Sequence, residues 1–395
     1  MHYRINLFLL LLVCGGLLSA QSEWGSFSPY SGFLQREVDK ENIAGAVSLV
    51  VKDGEVVHRG SWGYADREAK TEMREDQIFH IMSMTKPIVS VAAMMLWEEG
   101  KFKLDDPVSK YLDGFENLRV TTDPAKGKDG PTVPAKTVPT IRQLFSHTAG
   151  FSHGLGGTAL DDDVARALYY SPQADIASRV KTLTELPLLA QPGEKWAYSA
   201  SPDVLALLIE KLSGQSPDVF IRERILDPLE MDDTGYNLSA ERAARMPKLY
   251  KIVDGELVRD RMQMPANGHT VFGGTHGMLS TAADYAKFCE MLLNGGAANG
   301  HRLLKAETIR LMTQPNIGNA AYTPGQTFGL GFGVSTADPE NGLGSKGQFF
   351  WSGAYSTFFF VDPANKMYAI LMTQTSPYTG KYGDALRSYV YKAIR

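Results

Sequence analysis

Ser83 and Lys86 stand three residues apart in His80-Ile-Met-Ser-Met-Thr-Lys-Pro87, at the head of a long apolar run. Residues at that spacing share one face of a helix. A helix beginning near Ser83 sets the lysine amine one turn above the hydroxyl, with free N–H groups and the positive dipole end facing any anion that forms there. A serine hydroxyl is a weak nucleophile until a neighbouring base takes its proton, and a lysine can do so once burial or other cations lower its pKa. Pro87 suits a first turn, where a missing N–H is best tolerated. On motif frequency alone the same pattern also reads as a capping serine beside a solvated lysine.

Two other segments could complete the chemistry. Tyr198 lies in Gln191-Pro-Gly-Glu-Lys-Trp-Ala-Tyr-Ser-Ala-Ser-Pro202, in a loop just before a well-marked helix start. A phenol near ammonium groups can be held partly or wholly as phenolate, taking a proton from serine and returning it to a leaving group. Taken singly, it also reads as a buried aromatic with a backbone partner. In Gln348-Phe-Phe-Trp-Ser-Gly-Ala-Tyr355, Gly353 lets backbone approach a ligand closely. The N–H groups of Ala354 and Ser83 could then form an oxyanion hole. The plainer reading is the start of a strand with a glycine bulge.

The rest of the chain must hold these segments together. With 395 residues, 44% hydrophobic and 21% charged, it can bury a large core in one large domain or two intimate ones. A net charge of -4 gives no basic excess for nucleic acid or an anionic membrane, so small molecules are the expected ligands. Phe33, Leu34 and Val38 predict a first helix within residues 22–42. Residues 46–51 and 56–64 predict a hairpin across Asp53-Gly54. The run over residues 88–97 predicts a helix buried on nearly all sides, ending near Gly100. Residues 103–140 are polar, and 121–134 read as a long loop, functional or mobile.

Regular structure resumes at Ile141 and stops at Gly150. Helical patterns then recur to about residue 315. The clearest are opened by Ser201-Pro202 and closed by Gly214, and opened by Thr281 with Asp284 and closed by Gly295. Strands return over residues 356–361 and 367–372, and a closing helix over 384–394 places Leu386, Tyr389, Val390 and Ile394 on one face. The expected fold is α/β: an antiparallel sheet formed by both chain ends, residues 30–100 and 325–395, flanked by helices, with an all-α lobe, residues 101–324, inserted. The nucleophile helix falls at their junction, where pockets tend to form.

Arg4, the apolar stretch 7–18 and Ser19-Ala20 have the layout of a secretory signal peptide over residues 1–20, leaving 21–395 as the mature domain with a periplasmic or secreted location expected. The stretch is too short for a stable membrane span. Cys14 offers a lipoprotein alternative, although Val13 occupies a place where such signals need a very small residue. Cleavage leaves Cys289 as the remaining cysteine and no internal disulfide.

In this order, the three segments resemble the serine β-lactamase and penicillin-recognising family, in the branch of class C β-lactamases, D-alanyl-D-alanine carboxypeptidases and family VIII carboxylesterases. The resemblance spans residues 30–390 and includes Ser83-Met-Thr-Lys86, Leu144-Phe-Ser-His-Thr-Ala-Gly150, Gln191-Pro-Gly193, Tyr198-Ser-Ala200, Gly273-Gly-Thr-His-Gly-Met-Leu-Ser-Thr-Ala-Ala-Asp284 and Trp351-Ser-Gly353. It implies Ser83 as the acylated nucleophile, Lys86 and Tyr198 as the base system, and the Ser83 and Ala354 N–H groups as the oxyanion hole. Ala200, Trp351, Ser352 and Gly353 fall at substrate-binding positions. Ala200 replaces the family's usual asparagine, and Trp351 stands where true lactamases have lysine. Both departures remove polar handles for a lactam or peptide, and an aromatic wall suits an uncharged acyl or alcohol group.

The expected protein is therefore an exported serine hydrolase that cleaves esters through a Ser83 acyl-enzyme, without metal or cofactor. Its substrate is a small-molecule ester, amide or lactam. The alternatives are a D-amino peptidase or weak β-lactamase, and a non-catalytic penicillin-binding-like protein. Asp161-Asp-Asp163 reads as a helix start, His147 and His276 as structural hydrogen-bonding residues, and Cys289 as a small buried hydrophobe.

Overall fold

The computed structural model describes residues 25–339 and 342–394. The expected signal peptide, with Cys14, lies outside the described residues.

Helix α1 (Ser28–Asp39) precedes a hairpin of β1 (Gly45–Lys52) and β2 (Glu55–Asp66). Both turn residues have positive φ, 52° at Asp53 and 82° at Gly54, as a tight two-residue hairpin turn requires. A short β3 (Thr71–Glu72) follows, and then helix α2 (Thr85–Glu98). Every residue of α2 from Thr85 to Leu96 is buried, as its all-round apolar sequence predicts. Helices α3 (Ser201–Ser213) and α4 (Ala282–Leu293) have the expected ends: Gly214 turns left-handed at φ 75°, and the Thr281 side chain accepts the Asp284 N–H.

The last part of the chain supplies β4 (Gln326–Phe328), β5 (Gly333–Ser335), β6 (Phe349–Ser352), β7 (Phe358–Asp362), β8 (Met367–Thr373) and helix α5 (Lys381–Ala393). They join the first hairpin in one eight-stranded sheet, ordered β4-β5-β6-β7-β8-β1-β2-β3. Strand β8 runs antiparallel to β1, from Ala46 opposite Thr373 to Lys52 opposite Met367, so the two chain ends meet in the sheet's middle. All of β8 is buried, because helices cover both faces. On one face Tyr30 and Leu34 of α1 and Leu386 and Val390 of α5 cluster with Val50, Phe360 and Leu371. On the other, Phe288 and Cys289 of α4 cluster with Val47, Phe359 and Ile370.

Three expectations are corrected. Residues 121–134 are not a structureless loop: Arg119–Thr121 pairs with Thr132–Pro134, and the Lys128 N–H donates to Asp163 Oδ2 at 2.8 Å. These strands are too short to show period-2 alternation. The inserted middle is not all-α, since Tyr250–Val253 and Glu256–Arg259 form a hairpin that Thr375–Ser376 extends in parallel. Its Asp254-Gly255 turn is the same signal that marks the first hairpin. Helix α5 begins at Lys381, before the expected Asp384. Asp161 does mark a helix start, in a reciprocal capping box with Thr158.

Candidate active site

Ser83 lies in a single 3-10 turn, Met82–Met84, that runs directly into α2. Met82 is forced to φ 49°, a left-handed conformation uncommon for a side-chain-bearing residue. Such strain persists only where surrounding structure fixes it. Here Phe79–His80 pairs with Leu279–Ser280, and the Ile81 N–H donates to Met278 O at 3.1 Å. Ser83, like Met82 before it, stays partly exposed, and Met84 after it is buried.

Lys86 is fully buried, and its Nζ has three partners: Ser83 Oγ at 3.1 Å, Thr275 O at 2.7 Å and His153 Nε2 at 3.5 Å. Burial lowers its pKa to about 7, partly opposed by the buried Asp203 carboxylate. Near neutral pH the amine is therefore present in quantity as the free base. Asp203 is fixed by the Thr275 N–H at 2.8 Å and faces Arg179 at 3.6 Å. Nothing in the sequence marks His153, Thr275 or Asp203 as a site residue. They reach Lys86 or each other only through the tertiary fold, although Thr275 sits inside the Gly273 to Asp284 segment.

The Tyr198 ring lies 4.6 Å from Lys86 Nζ and stacks on His153, 4.7 Å between centroids at 9°. Its hydroxyl is buried near Ser83 and Trp351, with no well-formed hydrogen bond among the described residues. Burial raises its pKa, and the nearby Ser83 and Trp351 side chains offset this only in part. The resting residue is thus a neutral phenol rather than the phenolate that the sequence allowed.

Strand β6 carries Trp351 and Ser352, both partly exposed, into the turn at Gly353. A Cβ on Gly353 would sit 2.2 Å from Thr357 Oγ1 and 2.4 Å from Ile81 O, so only glycine lets this turn lie against the segment before Ser83. No acceptor among the described residues takes the partly exposed Ala354 N–H, which leaves it free for a ligand. The Trp351 ring lies 5.4 Å from that of Tyr198 and 5.1 Å from that of Phe328, and Trp196 and Tyr322 extend this wall.

Ala200 does not line the site as expected. It is fully buried at the start of α3, with its N–H on Ser152 O, and offers no surface to a ligand. His147 bonds to Ser199 Oγ at 2.8 Å, a structural role as expected. His276 instead makes an edge contact with the Tyr169 ring at 5.1 Å, and burial and the Arg179 charge push its pKa down to about 3. Among the described residues no group of three or more His, Cys, Asp or Glu could hold a metal ion.

The chain is similar to known proteins over most of its length. It is 32% identical over 367 residues to Protein Rv1367c of Mycobacterium tuberculosis, covering 87% of this chain and 88% of that protein. It is 29% identical over 384 residues to esterase EstB of Burkholderia gladioli, covering 89% and 92%. Its structure resembles that of EstCE1, a hydrolase with promiscuous acyltransferase activity, with TM-score 0.79, 26% identity and 92% and 98% coverage. The beta-lactamase family model matches residues 31–391, which contain Ser83, Lys86, Tyr198 and Gly353 alike, and the chain belongs to that family of serine hydrolases.

Proposed function

We propose that the protein cleaves carboxylic esters through an acyl-enzyme on Ser83. The observation that carries this reading is the buried Lys86 amine, with its pKa lowered to about 7, at 3.1 Å from the Ser83 hydroxyl. Neutral Lys86 takes the Ser83 proton as Oγ attacks the ester carbonyl. The Ser83 and Ala354 N–H groups receive the oxyanion. Collapse expels the alkoxide, which takes a proton from Lys86 by way of the Tyr198 hydroxyl, leaving the acyl group on Ser83 and Lys86 neutral again. Water then attacks the acyl-enzyme, giving its proton to the same base. Collapse breaks the bond to Oγ, Lys86 returns the proton to Ser83, and the acid product leaves with both residues restored.

The aromatic wall around Trp351 supports an uncharged group beside the scissile bond, and the printed descriptions of EstB and EstCE1, an esterase and a hydrolase, support ester chemistry. The N-terminal pattern supports export with cleavage after Ala20. A fluorophosphonate probe tests the nucleophile. It should label the wild type at Ser83 and fail to label a folded Ser83→Ala variant; labelling of another residue by mass spectrometry would overturn the assignment.

A further inference from the structure

Strand β6 pairs with β5 only as far as Phe350, opposite Gly333, so the outer edge of Trp351 and Ser352 has no partner strand among the described residues. A cavity of about 270 Å3 opens on this edge and runs past Ser352, Thr357 and Tyr378 to Arg387 on α5. The Arg387 guanidinium lies over Phe350 at 4.1 Å and Phe358 at 4.7 Å. Its Nε and Nη2 are buried without a hydrogen-bond partner among the described residues, and so is Thr357 Oγ1. Two buried guanidinium nitrogens without an acceptor are costly, and a planar fork of donors is suited to a carboxylate. Asp384, one turn earlier on α5, lines the same cavity but is exposed and forms no ion pair with Arg387 among the described residues. Its negative charge favours a singly charged ligand over a phosphate.

We propose that this cavity receives the terminal carboxylate of an ester's acyl chain, so that the enzyme accepts monoesters of short dicarboxylic acids. This substrate class rests on Ser83 carrying ester chemistry. The open edge of β6 guides the chain from the Ala354 N–H toward Arg387. Ser352 and Tyr378 border its methylenes, while Arg387 and the Thr357 hydroxyl take its carboxylate.

The test compares mono-p-nitrophenyl glutarate with p-nitrophenyl butyrate. Wild type should favour the glutarate ester in kcat/KM, and Arg387→Met should lower the glutarate-to-butyrate ratio by about tenfold to a hundredfold, the range for losing a charged hydrogen-bonding partner. Equal or weaker wild-type use of the glutarate ester overturns the proposal without any variant. An unchanged ratio in a folded Arg387→Met protein overturns it as well. Calorimetric binding of monomethyl glutarate to Ser83→Ala, lost when Arg387→Met is added, reports the cavity without catalysis. If both esters go unhydrolysed while this binding is Arg387-dependent, ester cleavage fails and the anion site stands.

Discussion

A neutral amine has two N–H bonds and one lone pair, and Lys86 has a partner for each. In the neutral form Lys86 can donate to Thr275 O and, with His153 as acceptor, to His153 Nε2, leaving its lone pair for Ser83 Oγ at 3.1 Å. This arrangement uses His153 with its proton on Nδ1. Only the deprotonated lysine can serve as base, so kcat/KM for a neutral ester should rise with pH through about 7 and then level off. Asp203 raises the lysine's pKa, so Asp203→Asn should move this limb to lower pH. A pH–rate profile of the two proteins checks both statements, and a wild-type limb near the ordinary lysine range would remove Lys86 from the role. Ser83 and Lys86 were legible because their relation is local, one helical turn. His153 lies 67 residues from Lys86 and Thr275 lies 189 away, so no spacing in the sequence could mark them.

At the scale of elements, the site depends on two backbone segments pressed together. The turn after β6 rests against Ile81, and the strained Met82 follows immediately. Gly353→Ala should drive the turn away from Ile81 or shift Thr357, costing about 1–3 kcal/mol in the manner of an overpacked core. Moving the Ala354 N–H should also lower kcat, because an oxyanion donor works only at the right distance. A lowered Tm together with a lowered kcat is the expected pair of measurements. A Gly353→Ala enzyme matching wild type in both would show that the close approach is not needed. The helix caps at Ser201-Pro202 and Thr281, and the Asp53-Gly54 turn, were readable because each is a local device with its own residue types. The strands at 119–121 and 132–134 were not, since three residues carry no usable periodicity.

Across the whole molecule, the meeting of β1 with β8 follows from strand patterns at both chain ends and helices between them. What composition could not supply was the character of the substrate cleft, which depends on which side chains remain exposed. Ala200 proves to be buried, so the amide contact expected at its position in lactamases has no substitute there, and Trp351 rather than a lysine borders Tyr198. On the proposal above, Arg387 on α5 serves the end of a flexible acyl chain lying along the open edge of β6, and not a carboxylate held on a rigid lactam ring. A short p-nitrophenyl ester needs only Ser83, Lys86 and the oxyanion donors. A cephalosporin must also desolvate an amide and a carboxylate, and each uncompensated charged group is worth about 1.5–3 kcal/mol. The kcat/KM for p-nitrophenyl butyrate should therefore exceed that for nitrocefin by about tenfold or more. Measuring both on wild type decides the matter: a nitrocefin value equal to or above that of the ester would mean that other groups replace the missing handles, and would favour lactamase or peptidase chemistry over ester cleavage.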